Sequence, residues 1–155
     1  MSRVVVNEIE AKVGNDISFN DTVKIDTIKG KTTAGSVSIQ GEGTATTNMQ
    51  QGLCKAWSNL QGKSTASIVD SFNTSSMSDQ GTGLYNTVFT NNMNNDDYCA
   101  TGAAGEYVDN GGNRSLGLRA RATTGINVRG FYDGNSAADL EDLNVATHGD
   151  LAWVI

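Results

Sequence analysis

Proline is missing from this 155-residue chain, histidine occurs once, and cysteine twice. Aromatic residues make up 6% of the sequence and charged residues 18%. Each shortage excludes something. So little charge argues against a solvated helical bundle, whose outer faces need Glu and Lys. A single histidine, His148, with no Gly-x-Ser-x-Gly turn, leaves a Ser-His-Asp hydrolase without its parts, and His148 reads as a turn or surface residue. Cys54 and Cys99 are too few for a disulfide framework and read as two small buried hydrophobes. A bridge between them stays open, because sequence does not give distance. Together with His148 they lack the spacing of a zinc motif. No stretch reaches the ~18–20 apolar residues of a membrane span, so no membrane insertion is expected. The opening Met-Ser-Arg-Val-Val-Val-Asn-Glu has no long apolar core of a Sec signal, which implies synthesis in a cytoplasm.

The charge that is present has one dominant sign. Seventeen acidic residues against 11 basic ones give a formal net charge of −6. Nucleic-acid affinity rests largely on Lys and Arg neutralising phosphates, so bulk DNA or RNA binding is disfavoured. Glycine, asparagine, serine and threonine dominate instead. Gly and Asn supply the positive-φ positions of tight turns, and the short β-branched runs between them predict an all-β chain.

Residues 1–52 and 53–155 differ in texture. The first part carries small apolar pairs, Val4 and Val6, Ile17 and Phe19, Val23 and Ile25, Val37 and Ile39, between Gly, Asn, Asp and Thr clusters. Strands this short gain too little burial, at ~25 cal/mol per Å2, to offset their ordering entropy. They become stable around an axis shared by several copies, or laid along a neighbouring protein. From Leu53 onward the alternation is stronger. Leu53, Lys55 and Trp57 share one face, with Cys54 and Ala56 on the other. Ala66, Ile68, Asp70 and Phe72 are expected on one face, as are Tyr85, Thr87 and Phe89. Leu116, Leu118, Ala120 and Ala122 oppose Arg119 and Arg121, and Ile126–Tyr132 follows as a further strand. Residues 137–142 read as one helical turn or a loop. Six or seven short strands at even spacing predict a β-sandwich.

Candidate chemistry is thin. Asp133-Gly134-Asn135-Ser136-Ala137-Ala138-Asp139 offers oxygen ligands, yet lacks the Gly and Glu positions of an EF-hand, and reads as an Asp/Asn-rich turn. Glycoside hydrolysis needs two carboxylates across a sugar-sized gap, whereas Asp96, Asp97, Asp109, Glu141 and Asp142 sit in turn-like runs. Gly111-Gly112 is not followed by the Gly-Lys-Ser/Thr of a phosphate loop. Arg119, Arg121 and Arg129 read as inter-strand partners for carboxylates, or as one basic patch meeting anionic glycan. Tyr107, Phe131, Tyr132 and Trp153 read as core or interface aromatics, with sugar stacking as the alternative. The triplets starting at Asn20, Asn73 and Asn113 fit the glycosylation pattern by composition alone. No catalytic, cofactor or metal residue is assigned, and ligand-binding residues are left unknown.

At Gln51-Gly52-Leu53-Cys54-Lys55-Ala56-Trp57 the sequence resembles the opening strand of the C-terminal domain in short tail-fibre-like proteins of bacteriophages, particularly marine and cyanobacterial phages. The block Ser71-Phe72-Asn73-Thr74-Ser75-Ser76, then Asp79, Gly81-Thr82-Gly83, Tyr85 and Phe89, is similar to the next block of that group. Met93 to Tyr98 and Val145 to Asp150 resemble its later steps, without the usual proline in the first and with His148 in place of an aromatic in the second. The resemblance spans nearly the whole chain. It implies a virion protein made in the host cytoplasm: a homotrimer with an extended N-terminal stem or attachment arm (1–52) and a C-terminal β-sandwich head (53–155). The expected role is non-enzymatic, a short tail fibre with host-surface glycan as a candidate partner and other phage structural proteins meeting its N-terminal segment. A capsid decoration or cement protein on the phage shell is the alternative.

Overall fold

In a computed structural model, the described residues are 20–30, 37–40, 44–106 and 111–152. The expected pairs Val4/Val6 and Ile17/Phe19, and the aromatics Tyr107 and Trp153, lie outside them. The fold is all-β, with several antiparallel sheets. Strands β1 (Ser38–Gln40) and β2 (Thr46–Asn48) form a small hairpin. A single helical turn, α1 (Met49–Gly52), follows; the Asn48 side chain caps it by accepting from Gln51 N at 3.0 Å.

The first large sheet has the order β4-β3-β11-β7, built from β3 (Cys54–Gln61), β4 (Ser67–Phe72), β7 (Cys99–Gly105) and β11 (Asp142–His148). The second holds β5 (Thr74–Asp79), β6 (Leu84–Phe89), β8 (Arg114–Ala122), β9 (Gly125–Tyr132) and the two-residue β10 (Ser136–Ala137). There β8 runs along one side of β9, while β6 and β10 lie end to end along the other. The chain passes from β4 to β5 through Asn73, whose φ of 56° turns the corner. Its side chain pins that corner, donating to the carbonyls of Lys55 (2.9 Å) and Asn91 (3.1 Å) and accepting from Asn91 N (2.7 Å). The Asn73 triplet is therefore an architectural element.

Both sheets contribute to each core cluster. Leu60 of β3 meets Tyr85 of β6, Val128 of β9, Leu140, and Leu143 and Val145 of β11. Ala56, Phe89, Met93, Tyr98 and Ile126 form the second, where the Phe89 and Tyr98 rings meet edge-on at 5.8 Å. The alternation read at Tyr85, Thr87 and Phe89 places all three inward and buried. Thr87 Oγ1 donates to the Ile126 carbonyl at 2.9 Å, so its burial leaves no unmet hydroxyl.

Two bulges overturn faces expected from strict alternation. On β4, Asp70 faces Asn59 while Ile68 faces Leu60, so one extra residue intervenes. Ile68 therefore packs inward and Phe72 points out, 53% exposed. On β8, Leu118 faces Val128 and Arg121 faces Ile126, again with one residue too many. Arg121 thus shares the face of Ile126 while staying exposed at the sheet edge, donating to the Tyr98 carbonyl at 3.0 Å over the Tyr98 ring. Arg129 lies on the other face, over Phe131. The three arginines do not form one patch. Of residues 137–142, expected as a helical turn or loop, 138–141 form the loop that follows β10, while Ala137 belongs to β10 and Asp142 opens β11.

One buried contact holds loop and sheets together. Tyr85 Oη lies 2.7 Å from Asp139 Oδ1 and 3.1 Å from the Gly62 carbonyl oxygen, and Asp139 Oδ1 also accepts from Gly83 N at 2.6 Å. Burial, aided by the Asp139 hydrogen bond, pushes the Tyr85 phenol well above its ordinary value, so it stays a neutral donor. A Cβ on Gly62 would sit 2.3 Å from Tyr85 Oη, and Gly83 holds φ 69° where side chains are strained. Tyr85→Phe should cost about 1–3 kcal/mol in urea unfolding, with unchanged m, because Asp139 keeps Gly83 N but loses the tyrosine donor. Gly62→Ala should cost at least as much by forcing the ring aside, about 1–3 kcal/mol.

An exposed aromatic face on the first sheet

The register of β4, β3, β11 and β7 lays outward-facing side chains in rows. One row reads Phe72, Trp57, Ala146, Thr101; the next reads Asp70, Asn59, Asn144, Ala103. Beyond it stand Asp142 and Gly105, with Gln61 at the end of β3. The inner side of β3 takes Ala56, Ser58 and Leu60. Trp57 is consequently on the solvent side, 38% exposed beside Phe72. Lys55, on the Trp57 side by parity, is buried because its Nζ donates to the Gln50 carbonyl of α1.

The small residues beyond Trp57 leave room. A depression of about 370 Å3 has Trp57, Thr101, Ala103, Asn144 and Ala146 among its lining residues. Asn144 Nδ2 donates to Asp142 Oδ1 at 2.8 Å, fixing the amide at the trough edge. Asn59 Oδ1 and Gln61 Oε1 are buried with no hydrogen-bond partner, two orphan acceptors on one strand. Leaving such a group unmet costs about 1–3 kcal/mol each.

Other candidates resolve differently. His148 ends β11 rather than forming a turn, and faces Cys54 on one side and Cys99 on the other. The cysteines are therefore two inter-strand spacings apart, roughly 9.5 Å, beyond the ~7 Å Cα reach of a disulfide. Both are free thiols, Cys99 exposed and Cys54 half-buried, so neither is the fully buried hydrophobe expected. A more polar hollow of about 410 Å3 lies near them between His148, Asp97 and Asp150, but both Asp150 oxygens accept from Gln51 Nε2 at 2.8 Å. In the 133–139 segment, Asp133 Oδ1 accepts from Asn113 N at 2.9 Å and Asp139 serves Tyr85. Among the described residues no group of three or more His, Cys, Asp or Glu is placed to hold a metal ion. Tyr132 is covered by the Arg114 guanidinium at 4.2 Å from its ring centre, and Phe131 by Arg129. Among the described residues the freely presented aromatics are Trp57 and Phe72, neither of which the sequence marks as ligand-facing.

Electrostatics at the far end of the sheet is structural. Arg114 Nη2 lies 2.7 Å from Glu106 Oε2, both side chains nearly buried, and Lys63 reaches Glu106 (3.6 Å) and Glu141 (3.4 Å). The Arg114 hydrogen bond is the main cause holding Glu106 below the usual carboxylate range. The tyrosine of the second cluster, Tyr98, is pushed up to about 12 by burial, and its Oη donates to the Gly125 carbonyl at 2.7 Å. No protein-family model, curated protein or solved structure matches the chain.

Two outcomes follow from this geometry. Trp57→Ala should cost under about 1 kcal/mol of stability, whereas Leu60→Ala on the inner side of the same strand should cost about 2–5 kcal/mol, both read by urea unfolding. A carboxylate whose folded pKa is depressed adds stability that is present above its unfolded value, about 4.3, and lost as pH falls through the folded value. Glu106→Gln should therefore lower stability near pH 7 and flatten its decline below about pH 4.3 in denaturant titrations at stepped pH.

Proposed function

We propose that the chain is a non-enzymatic structural protein of a bacteriophage particle: a short tail fibre acting as a homotrimer, with residues 53–155 as a β-sandwich head and residues 1–52 as a stem or attachment arm. The observation that carries this reading is the exposure of the segment before β3. Val23, Ile25, Ile28 and Ile39 are 44–58% exposed, and Leu53 at the junction 52%. None joins either core cluster. Among the described residues of this segment no core cluster forms, and large apolar side chains so exposed gain burial against another surface, at ~25 cal/mol per Å2. Copies of the same segment around a common axis supply that surface without any further protein.

The resemblance carried by residues 51–57 and 71–89 supports the same assignment. In this reading the protein resides in the virion, its arm meets other phage structural proteins, and its head faces the host surface. The exposed arm equally suits docking on a shell, so capsid decoration is the second reading. Copy number separates them, since a tail fibre is present in few copies per particle and a decoration protein in hundreds.

Light scattering coupled to size exclusion tests the assembly. Three chains of 16.3 kDa should elute at roughly 49 kDa. A folded species at the mass of one chain would remove the shared-axis stem.

A further inference from the structure

We propose that the outer face of the first sheet is a binding site for a neutral, hydroxyl-rich pyranose sugar, with Trp57 as the stacking platform and Asn59, Gln61 and Asp142 as hydroxyl acceptors. The inference deepens the host-contact part of the proposed function and rests on that reading for the biological source of the sugar. Its physical case comes from the face itself.

The first element is a platform. Trp57 and Phe72 are neighbours across β3 and β4, both presented to solvent from a hydrogen-bonded ladder that fixes their backbone. An indole face receives the C–H groups of a flat ring, and a rigid sheet lowers the ordering cost of binding. The second element is space. Ala146, Thr101 and Ala103 continue the two rows with small side chains, which is why a depression of about 370 Å3 opens beside the indole. That volume lies in the range of small-molecule sites.

The third element decides the ligand class. Asn59 Oδ1 and Gln61 Oε1 are sealed from water with no donor. Covering the face with apolar side chains, such as Ile25 or Ile28 of another copy, would hide Trp57 and leave both oxygens unmet. A sugar brings donors. Rotation about the C–C bond that carries the amide group, a broad torsion in Asn and Gln, turns either oxygen toward an arriving hydroxyl. Asp70 in the second row and Asp142 just beyond it add acceptors, and none of the row residues is basic. A surface rich in acceptors, on a chain of net charge −6, selects hydroxyl donors and repels carboxylate or sulfate groups. The anionic-glycan option tied to Arg119, Arg121 and Arg129 has no such surface, because Arg121 and Arg129 occupy opposite faces of their sheet.

The test uses the full chain, with the methyl glycosides of glucose, galactose and mannose as neutral probes and glucuronic acid as the anionic probe. Saturation-transfer NMR and tryptophan fluorescence report binding, and light scattering reports mass on the same samples. Saturable binding of at least one neutral probe is expected, weakened about tenfold by Trp57→Ala, the size of one stacking contact. Ala146→Gln, which fills the trough without touching the core, should weaken it as well. Absence of saturation by roughly 50 mM for every neutral probe overturns the site. So does equal binding of glucuronic acid, or unchanged binding in both variants. A fall in molar mass on Trp57→Ala would also overturn it, by showing that a second copy covers the face. A trimer that binds no sugar leaves the fibre reading standing without this site. A monomer that binds sugar does the reverse.

Discussion

The fold hangs on the buried tyrosine hydroxyl of β6. Tyr85 reaches across the interior to Asp139, in the loop between β10 and β11, and to the backbone of Gly62 just past β3. Around it the chain crosses itself closely. Gly62 N donates to the Leu140 carbonyl, Gly130 N to the Gly83 carbonyl, and Ala138 N to the Gly130 carbonyl, within 2.8–3.1 Å. Glycines at 62, 83 and 130 permit these approaches, since a Cβ at any of them would meet another atom within 3.2 Å. Leu140 is carried into the core by the same loop. Register in β11, and so the composition of the outer face, follows from where that loop is held.

Much of the second sheet was legible from sequence, because its strands alternate without interruption where it matters. Tyr85, Thr87 and Phe89 announce a buried face, and Ile126, Val128 and Gly130 match them from β9. What failed was the assumption that period two continues through a strand. A bulge leaves no mark in composition, yet the one on β4 sends Phe72 outward and the one on β8 puts Arg121 on the face of Ile126. Strand β5 was hidden for another reason: Thr74–Asp79 is mostly hydroxyl-bearing and polar, with Met77 alone packing on the core. Asp139 looked like an ion ligand or turn residue, since its tyrosine partner lies 54 positions away.

The candidate face was half visible. Grouping Trp57 with Leu53 and Lys55 was correct in parity, but alternation alone did not say which of the two faces meets solvent. The outward placement of the indole has a volume argument. The two sheets meet over Ala56, Ser58 and Thr147 on one side of β3 and β11, small residues that fit beneath Phe89 and Ile126. An indole cannot share that gap, and Leu60 fills the wider end with Leu143. The strand can place its largest ring only on the outside. A ring kept there yields little stability, so its presence is better explained by what it meets than by what it holds together.

The bulge on β8 has one more consequence. β8 is an edge strand, bonded on one side to β9 and lying beside β7 without a ladder. A long, even edge would invite the same edge of a neighbouring molecule. The irregularity between Leu118 and Arg121 breaks the repeat of donors and acceptors and sets arginines at the break. An edge interrupted in this way is a poorer template for a neighbouring strand than an even one.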